Sequence, residues 1–404
     1  MKILFLTIGD TGSIETRGTY FDILRYMRDM GHEIYVVTPL EKRLGLQTEC
    51  RAENGVNMLR VRTGNITKCG MIEKGFSTLA ISGQYKRAVL KYFKDIHFDL
   101  IMYSTPPITI CNTVASIKRK TGAATYLLLK DIFPQNSIDI GTLSYSGPKG
   151  IISRYFRSSE KKLYAISDRI GCMSEANREY ILKHNPEISR DKTEVSPNTM
   201  EIQNIAVTQE EKRTFRQKYG IPGDAVVFLY GGNLGKPQDV PFIVECLKTQ
   251  KNRDDVFFLV VGSGADGYLL KNYVIESRQH NVKVLDILPR DEYEKMAFCC
   301  DVGLVFLDHR FTIPNFPSRI LPYMQAGLPV LCSTDPNTDV GKLCEENGFG
   351  WSSLSSSPEC FAQAVETVLG SDIKAMGKLG RQYLENNWTE KNSYEIIIGK
   401  DKER

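Results

Sequence analysis

A short stretch between two apolar segments carries residue types that bind phosphate. It runs from Asp308 to Asp339 and reads DHRFTIPNFPSRILPYMQAGLPVLCSTDPNTD. We expect a loop, a helix that opens at Ser318, and a strand at 329–332. Ser318 can accept a hydrogen bond from an amide of the first helical turn, and Arg319 adds a guanidinium beside those amides. The pattern is typical of a phosphate site, although a capped surface helix with an incidental arginine would show the same residues.

The elements around this stretch alternate between strand and helix in two successive series. Repeated βα units predict parallel, doubly wound sheets, in which ligands gather at the carboxyl ends of the strands. The predicted fold class is α/β, with two tandem doubly wound Rossmann-like domains facing a cleft. The predicted strands are 2–7, 33–37, 56–60, 100–103, 125–129, 170–172, 193–196, 225–230, 257–261, 282–285 and 302–306, and the main helices are 16–30, 77–95, 108–121, 150–166, 174–184 and 208–219.

The predicted domain boundary lies at a Ser-Pro-Asn sequence that begins at Ser196. We assign residues 1–197 to an N-terminal domain and residues 198–375 to a C-terminal domain. Residues 376–404 are predicted to form closing helices that pack back toward the N-terminal domain.

Composition limits the class of protein. A chain of 404 residues, 42% hydrophobic and 25% charged, is long enough for two globular domains. Its apolar runs fall short of the ~20 residues of a membrane span, and the first strand has no cleavage site typical of a signal peptide. The ten cysteines lack C-x-x-C spacing, which predicts free thiols, and the five histidines lack metal-ligand spacing, so we expect no metal and no other cofactor.

Charge is distributed unevenly along the chain. The net charge is +4, but residues 1–200 carry 29 Lys and Arg against 20 Asp and Glu, so the excess is in the first half. This imbalance predicts an anionic partner for the first domain.

Three rival functions find little support. A dinucleotide site needs G-x-G-x-x-G after a strand, whereas the glycines at 9–12 miss that spacing and those at 262–264 lack the third glycine. A Walker A motif is absent. Nucleic-acid binding is disfavoured because no basic helix carries interleaved aromatic residues.

The order of several motifs resembles family 4 retaining glycosyltransferases, which have the glycosyltransferase B fold. The stretch Pro317-Ser318-Arg319 with Ala326-Gly327-x-Pro329-Val330 resembles their nucleotide-sugar loop, and 231–235 (GGNLG) resembles the glycine turn that opens their second domain. The segment 129–135 (LKDIFPQ) is similar to a branch that transfers N-acetylated deoxy sugars, such as N-acetylfucosamine, in bacterial O-antigen and capsule assembly.

The resemblance also implies site residues and a mechanism. The departing phosphate can take the acceptor proton, so the protein mainly stabilises charge on the β-phosphate. It implies catalytic roles for Arg319 and for Asp131, which follows a buried strand and could equally be a turn residue. The implied donor-binding residues are Arg17, Gly18, Gly232, Asn233, Lys236, Gly264, Asn315, Phe316, Ser318 and Arg319.

Two prolines depart from the family pattern. The family places glutamates where this chain has Pro314 and Pro322, and the second glutamate usually receives the ribose. Pro322 is tolerable in a first helical turn, so the ribose contact is expected to come from Asn315, Tyr323 or a backbone amide. Ile313, Pro314 and Phe316 would then form an apolar wall that suits a 6-deoxy sugar.

The predicted function is retaining transfer of an N-acetylated, 6-deoxy sugar from a UDP-sugar to a polyprenyl-diphosphate-linked sugar. The alternatives are a non-catalytic nucleotide-sugar-binding partner and a UDP-sugar epimerase of the same architecture. The predicted partners are the UDP-sugar, the lipid-linked acceptor and an anionic membrane, without nucleic acid. We expect a cytoplasmic protein, peripheral on the inner face of the cell membrane, that docks through a basic helix at residues 149–162 with an apolar stripe including Ile152, Tyr155, Phe156, Leu163 and Ile166.

Overall fold

The chain forms two compact units in the computed structural model, which describes residues 1–9 and 12–399. The first unit contains residues 1–201 together with the last helix, and the second contains residues 202–389. The predicted boundary at 197/198 therefore lies four residues before the observed one. Asp10 and Thr11, in the predicted turn after the first strand, lie outside the described residues.

The first unit is a three-layer α/β structure around a parallel sheet. Its sheet has the order β3-β4-β2-β1-β5-β6-β7-β8, with β3 alone antiparallel to its neighbour. The strands are β1 Lys2–Leu6, β2 Glu33–Glu41, β3 Glu49–Glu53, β4 Val56–Thr63, β5 Leu100–Ser104, β6 Ala124–Leu129, β7 Arg169–Cys172 and β8 Thr193–Val195. The helices are α1 Thr19–Asp29, α2 Met71–Tyr92, α3 Cys111–Thr121, α4 Gln135–Asp139, α5 Gly147–Ile166 and α6 Glu175–His184.

The second unit has a fully parallel sheet in the order β11-β10-β9-β12-β13-β14. Its strands are β9 Val226–Asn233, β10 Val256–Ser263, β11 Val282–Leu285, β12 Val302–Phe306, β13 Val330–Thr334 and β14 Gly350–Leu354. Its helices are α7 Gln209–Tyr219, α8 Val240–Thr249, α9 Gly267–Ser277, α10 Arg290–Ala297, α11 Ile320–Gln325, α12 Val340–Glu346, α13 Pro358–Leu369 and α14 Ile373–Asn387.

Both sheets confirm the predicted doubly wound class, and each has one point where the strand order reverses. The reversal lies between β1 and β5 in the first sheet and between β9 and β12 in the second. Ligands of such folds bind in the crevice outside the carboxyl ends of the two strands at this point. The loop that carries Arg319 follows β12, which puts the predicted phosphate site at the reversal of the second sheet.

The closing helices divide between the two units. Helix α14 belongs to the second unit, contrary to the prediction that both would pack on the first. The last helix, α15 (Glu390–Ile398), returns to the first unit and buries Tyr394, Ile397 and Ile398 in its core beside α1. The guanidinium of Arg169 donates hydrogen bonds to the carbonyls of Ile396 and Ile397, at 2.6 and 2.7 Å.

Candidate active site

The glycine turn at the end of β9 is held so tightly that it admits no side chain at its first position. A Cβ built on Gly231 would lie 1.9 Å from the Tyr293 hydroxyl oxygen. Gly232 has a φ of +131°, a conformation that side-chain-bearing residues rarely adopt, and a Cβ there would lie 3.4 Å from the Arg319 guanidinium. The turn therefore brings bare backbone directly beside the arginine of the predicted phosphate loop.

Arg319 presents a guanidinium that the surrounding protein leaves incompletely paired. Its Cζ lies 4.7 Å from the centroid of the Tyr230 ring, so a cation–π contact holds the side chain over the end of β9. The Nη1 atom is buried and has no hydrogen-bond partner among the described residues. Because buried donors are nearly always satisfied, this nitrogen is a strong candidate for binding a ligand anion.

The helix after Arg319 begins later than the sequence suggests. It starts at Ile320, and Arg319 takes the N-cap position without a side-chain cap. Ser318 is exposed and lies in the preceding turn, where its carbonyl accepts the amide of Leu321 at 3.1 Å. The predicted Ser318 cap is therefore wrong, and Arg319 rather than the start of this six-residue helix is the candidate for binding an anion.

Tyr323 fixes the glycine turn rather than contacting a ligand. It is fully buried, and its hydroxyl accepts the amide of Gly231 at 2.9 Å and donates to the carbonyl of Leu304 at 3.1 Å. Burial raises the pKa of this phenol, so the hydroxyl stays protonated and can keep donating. The suggestion that Tyr323 receives the ribose is wrong, because both of its hydrogen bonds are already made inside the protein.

The other predicted residues around the turn have more structural roles. The exposed Asn233 donates from Nδ2 to Gln238 Oε1 at 2.9 Å. Lys236 is exposed and has no ion pair within the described residues, so its ammonium is available near the turn. A Cβ at Gly264 would lie 2.2 Å from the Leu234 carbonyl oxygen, so this glycine is required by close packing of two loops.

The loop before Arg319 buries the residues that were expected to form an apolar wall. Ile313 is fully buried, and Phe316 is 8% exposed with its ring packed edge-on against Trp388 at 5.5 Å. Asn315 is partly exposed; its backbone amide donates to Thr338 Oγ1 at 3.1 Å, and its side-chain Nδ2 donates to the Ile313 carbonyl at 3.3 Å. Only the carboxamide oxygen of Asn315 is thus left to reach a ligand by these bonds, whereas Phe316 has almost no surface to offer one.

One group in the second unit has the residue types of a metal site. Asp239, Asp308 and His309 place one potential ligand atom each within 4.8 Å of one another. However, Arg310 pairs with both carboxylate oxygens of the buried Asp308, at 2.9 Å from Nε and 2.5 Å from Nη2. A cation would have to displace this guanidinium, so the arrangement is better described as an internal ion-pair network.

In the first unit, Asp131 lies at the carboxyl end of β6 as predicted from its position after a strand. Both carboxylate oxygens accept from the Asn136 amide nitrogen at 2.7 Å, and burial raises the pKa of Asp131 to about 6. The neighbouring Lys130 ammonium donates to the carbonyls of Ser196 and Pro197 at 3.2 Å. Burial lowers the pKa of Lys130 to about 7, a perturbation that its apolar neighbours in sequence do not reveal.

Gly18 and Arg17 precede α1 at the carboxyl side of β1. The Gly18 amide already donates to Asp22 Oδ1 at 2.8 Å, and the same carboxylate oxygen accepts from Arg25 Nη2 at 2.7 Å. The structure therefore contradicts the role of the Gly18 amide as a phosphate donor, because that donor is already used inside the protein. Arg17 is partly exposed beside it.

Comparisons with known proteins support a common assignment for both units. Residues 19–204 match the family described as Glycosyltransferase Family 4, and residues 211–384 match Glycosyl transferases group 1. WbjE of Pseudomonas aeruginosa, named a probable glycosyltransferase, is 24% identical over 74% of this chain and 72% of its own. WcaI of Escherichia coli (strain K12), named for glycosyl transfer in colanic acid biosynthesis, is 20% identical over 97% of both chains.

The solved structures agree on the fold. Anabaena HepE, determined in complex with UDP, superimposes with a TM-score of 0.69 at 17% identity, covering 100% of both chains. Within residues 1–9 and 12–399, none of the helices is long and apolar enough to cross a membrane. From its matching families, its two doubly wound sheets and its relatives, the chain belongs to the family 4 glycosyltransferases of the glycosyltransferase B fold.

Proposed function

We propose that this glycosyltransferase moves a sugar from a UDP-sugar to a polyprenyl-diphosphate-linked sugar, with retention, in bacterial surface polysaccharide (O-antigen or capsule) synthesis. The observation that carries the proposal is the buried Arg319 Nη1, which has no hydrogen-bond partner among the described residues and lies beside the open backbone of Gly232. This nitrogen suits a donor diphosphate. Anabaena HepE, of the same fold, binds UDP and UDP-glucose, and WcaI is named for polysaccharide synthesis.

The chemistry asked of these residues is electrostatic. As the bond between the anomeric carbon and the phosphate oxygen breaks, negative charge grows on the β-phosphate, and a guanidinium held in place by Tyr230 stabilises it without moving. The leaving phosphate oxygen takes the proton of the acceptor hydroxyl on the same face. Asp131 then serves to orient a sugar hydroxyl and is not required as the base.

The identity of the donor sugar depends on fewer observations. An N-acetylated 6-deoxy sugar follows from the resemblance of residues 129–135 to one branch of the family. The apolar wall once expected to favour a 6-deoxy group is buried in the protein, at Ile313 and Phe316. The proposal therefore depends on the resemblance for the sugar and on Arg319 for the diphosphate.

The experiment that tests the activity is a panel of UDP-sugars incubated with a short polyprenyl-diphosphate sugar and read by mass spectrometry. We expect one UDP-N-acetyl-deoxy sugar to add its mass to the acceptor and release UDP. Release of a 2-epimer without acceptor would support the epimerase alternative. UDP binding without turnover of any sugar would support the non-catalytic one.

A lipid-linked acceptor requires the first unit to reach a membrane, and α5 offers a surface for this. Its N-terminal half exposes Ile151, Ile152 and Tyr155, whose exposed fractions are 62%, 47% and 50%. Leu163 on the same helix is fully buried, so the predicted stripe is divided between the core and the surface. We propose that this exposed half lies in the headgroup layer of the anionic, cytoplasmic face of the membrane.

The basic residues of α5 fall into two groups. Arg157 is committed to the buried Glu160, with Nη1 and Oε2 2.7 Å apart, and Lys161 lies 3.5 Å from Glu187. Lys149, Arg154 and Lys162 are mostly exposed and have no ion pair within the described residues. These three can contribute up to ~1 kcal/mol each near an anionic surface.

Vesicle sedimentation tests this surface. The triple variant Lys149→Glu/Arg154→Glu/Lys162→Glu should lose salt-sensitive binding to phosphatidylglycerol vesicles and keep its affinity for UDP. The matched control Lys251→Glu/Lys271→Glu/Lys283→Glu makes the same charge change in the second unit. Equal binding of the wild type and the first triple variant at low salt would contradict the proposal.

A further inference from the structure

The second unit contains an open cavity of about 720 Å³ away from the glycine turn. Residues 203–206 form one wall, and the end of α11 at Gln325–Gly327 forms another. The remaining sides come from the first turn of α7, from Phe298 at the end of α10 and from one face of α14. We call this space the α14 cavity. It lies at the opposite end of α11 from Arg319.

Four cationic side chains line the α14 cavity, and none of its described lining residues is acidic. They are Lys212, Lys374, Lys378 and Arg381, the last three spaced to share one face of α14. The three lysines form no ion pair within the described residues. Arg381 alone is paired, through Nε to Glu385 at 2.6 Å.

A carboxylate that interacts with two of these lysines, Asp301, is already engaged elsewhere. Asp301 Oδ2 lies 3.2 Å from Arg216 Nη2 and accepts the amide of Val227 at 2.8 Å. Its interaction with Lys212 and Lys374 is coulombic and at longer range. The lysines therefore keep an excess of positive charge at the cavity.

A buried amide provides a second and independent sign of a ligand. Gln325 lines the cavity and is 2% exposed, and its Oε1 accepts the amide of Gln203 at 2.8 Å. Its Nε2 is buried and has no hydrogen-bond partner among the described residues. A buried amide nitrogen in this state is costly unless a ligand or water accepts from it.

The C-terminus of α11 carries partial negative charge and disfavours an anion in the cavity, but only weakly. The amides of Gly327 and Leu328 donate to Met324 and Tyr323 carbonyls at 3.0 and 2.9 Å. Arg381 Nη1 covers the Gln325 carbonyl at 2.7 Å. A helix end is equivalent to roughly half a negative charge, against three lysines without an ion pair and the paired Arg381.

We infer that the α14 cavity binds a phosphate-bearing anion at a site separate from the donor site. The volume falls within the roughly 300–1,000 Å³ typical of small-molecule sites. The phosphate is either that of a soluble phosphorylated metabolite or that of a lipid headgroup. The lysines supply the charge, and the Gln325 amide supplies a directed donor. The site does not depend on which nucleotide the enzyme uses.

Calorimetry of the full chain with pyrophosphate, in saturating UDP, tests the site. We expect the wild type to bind pyrophosphate and Lys374→Gln/Lys378→Gln to bind it roughly tenfold more weakly, as for two partly exposed charge contacts. The control pair Lys251→Gln/Lys283→Gln, exposed lysines of the same unit outside the cavity, should bind as the wild type does. Gln325→Glu keeps the acceptor for Gln203, replaces the unpaired nitrogen by an anionic oxygen, and should abolish binding; because a buried carboxylate also costs stability, its melting temperature is measured alongside.

The same variants distinguish the two sources of phosphate. If the ligand is a lipid, Lys374→Gln/Lys378→Gln should reduce binding to phosphatidylglycerol vesicles while free pyrophosphate binds neither form. If it is soluble, vesicle binding should be unchanged and pyrophosphate binding reduced. The inference is overturned if Lys374→Gln/Lys378→Gln matches the wild type in both assays, or if the control pair loses as much. If UDP itself fails to bind, the proposed donor is contradicted but the α14 cavity is not, because only the Lys374, Lys378 and Gln325 variants test the cavity.

Discussion

Replacing Arg319 with alanine tests the centre of the proposed donor site. The variant removes a guanidinium whose buried Nη1 has no partner among the described residues, so without ligand the protein loses mainly the contact with the Tyr230 side chain. The bound state loses a hydrogen bond from a charged donor to a phosphate, which is worth roughly 1.5–3 kcal/mol. The dissociation constant of UDP should therefore rise by about 10-fold to 150-fold.

The assay is isothermal titration calorimetry with UDP on the wild type and three variants. Arg319→Lys keeps the charge but loses the planar fork, and should fall between the wild type and Arg319→Ala. Arg213→Ala removes an exposed arginine of the same unit that has no ion pair within the described residues, and should bind as the wild type does. The melting temperature of Arg319→Ala should stay close to that of the wild type. An unchanged dissociation constant in Arg319→Ala would refute the assignment of Arg319 as the phosphate ligand.

Three further substitutions probe the residues around this site. Gly231→Ala places a methyl group 1.9 Å from the Tyr293 hydroxyl oxygen, and should weaken UDP binding and lower the unfolding free energy by about 1–3 kcal/mol. Adding Tyr293→Ala should restore part of the UDP affinity and part of the stability. No change in the single variant would contradict the close packing of Gly231 against Tyr293. Pro322→Glu should leave turnover of the UDP-sugar within about threefold of wild type, because the loop no longer shapes the ribose contact that the family makes with a glutamate here. A well-placed acidic group would contribute ~1.5–3 kcal/mol. A large gain in turnover would mean that the chain is a weakened ordinary member of its family. Burial raises the pKa of Asp131 from 3.8 to about 6, so the folded state binds this proton more tightly than the unfolded state. The resulting contribution to the free energy of unfolding is complete below pH 3.8 and is lost as the pH rises through 6. Asp131→Asn should therefore gain stability relative to wild type between pH 4 and pH 7, by at most about 3 kcal/mol, in denaturant titrations at each pH; a constant difference would contradict the burial of this carboxyl.

The sequence predicts the fold well because periodicity and strand composition are local. The strand at 302–306 was located from the sequence alone because it is an apolar run that is buried throughout, and the strand at 282–285 because its valines alternate with an exposed lysine. Strand β3 was missed because its residues, ECRAE, are mostly exposed and its only strand neighbour is β4. Helix α14 was placed with the wrong unit, since its sequence does not indicate which core its apolar face joins.

The candidate site could be predicted only in part. Arg319 and Gly232 were predicted from the Pro-Ser-Arg and Gly-Gly-Asn-Leu-Gly motifs, and the structure brings the two together, since a Cβ at Gly232 would lie 3.4 Å from the Arg319 guanidinium. The sequence did not indicate that Tyr323 holds the glycine turn, because the Gly231 amide that donates to its hydroxyl is 92 residues away in the chain. The prediction that the Gly18 amide donates to phosphate failed for a related reason. The sequence does not show that this amide already donates to the carboxylate of Asp22, four residues later.

The return of α15 to the first unit has a consequence for how the chain folds during synthesis. Tyr394, Ile397 and Ile398 complete a core whose other members end at Leu128, so the ribosome must finish the entire second unit before that core can close. Full burial of these three side chains contributes on the order of 5–9 kcal/mol, comparable with the whole stability of a typical domain. The second unit is continuous from 202 to 389 and can fold while the first still lacks its last helix. A fragment that stops at residue 201 would accordingly be an incomplete domain, and a soluble version would have to carry residues 390–399 joined by a linker.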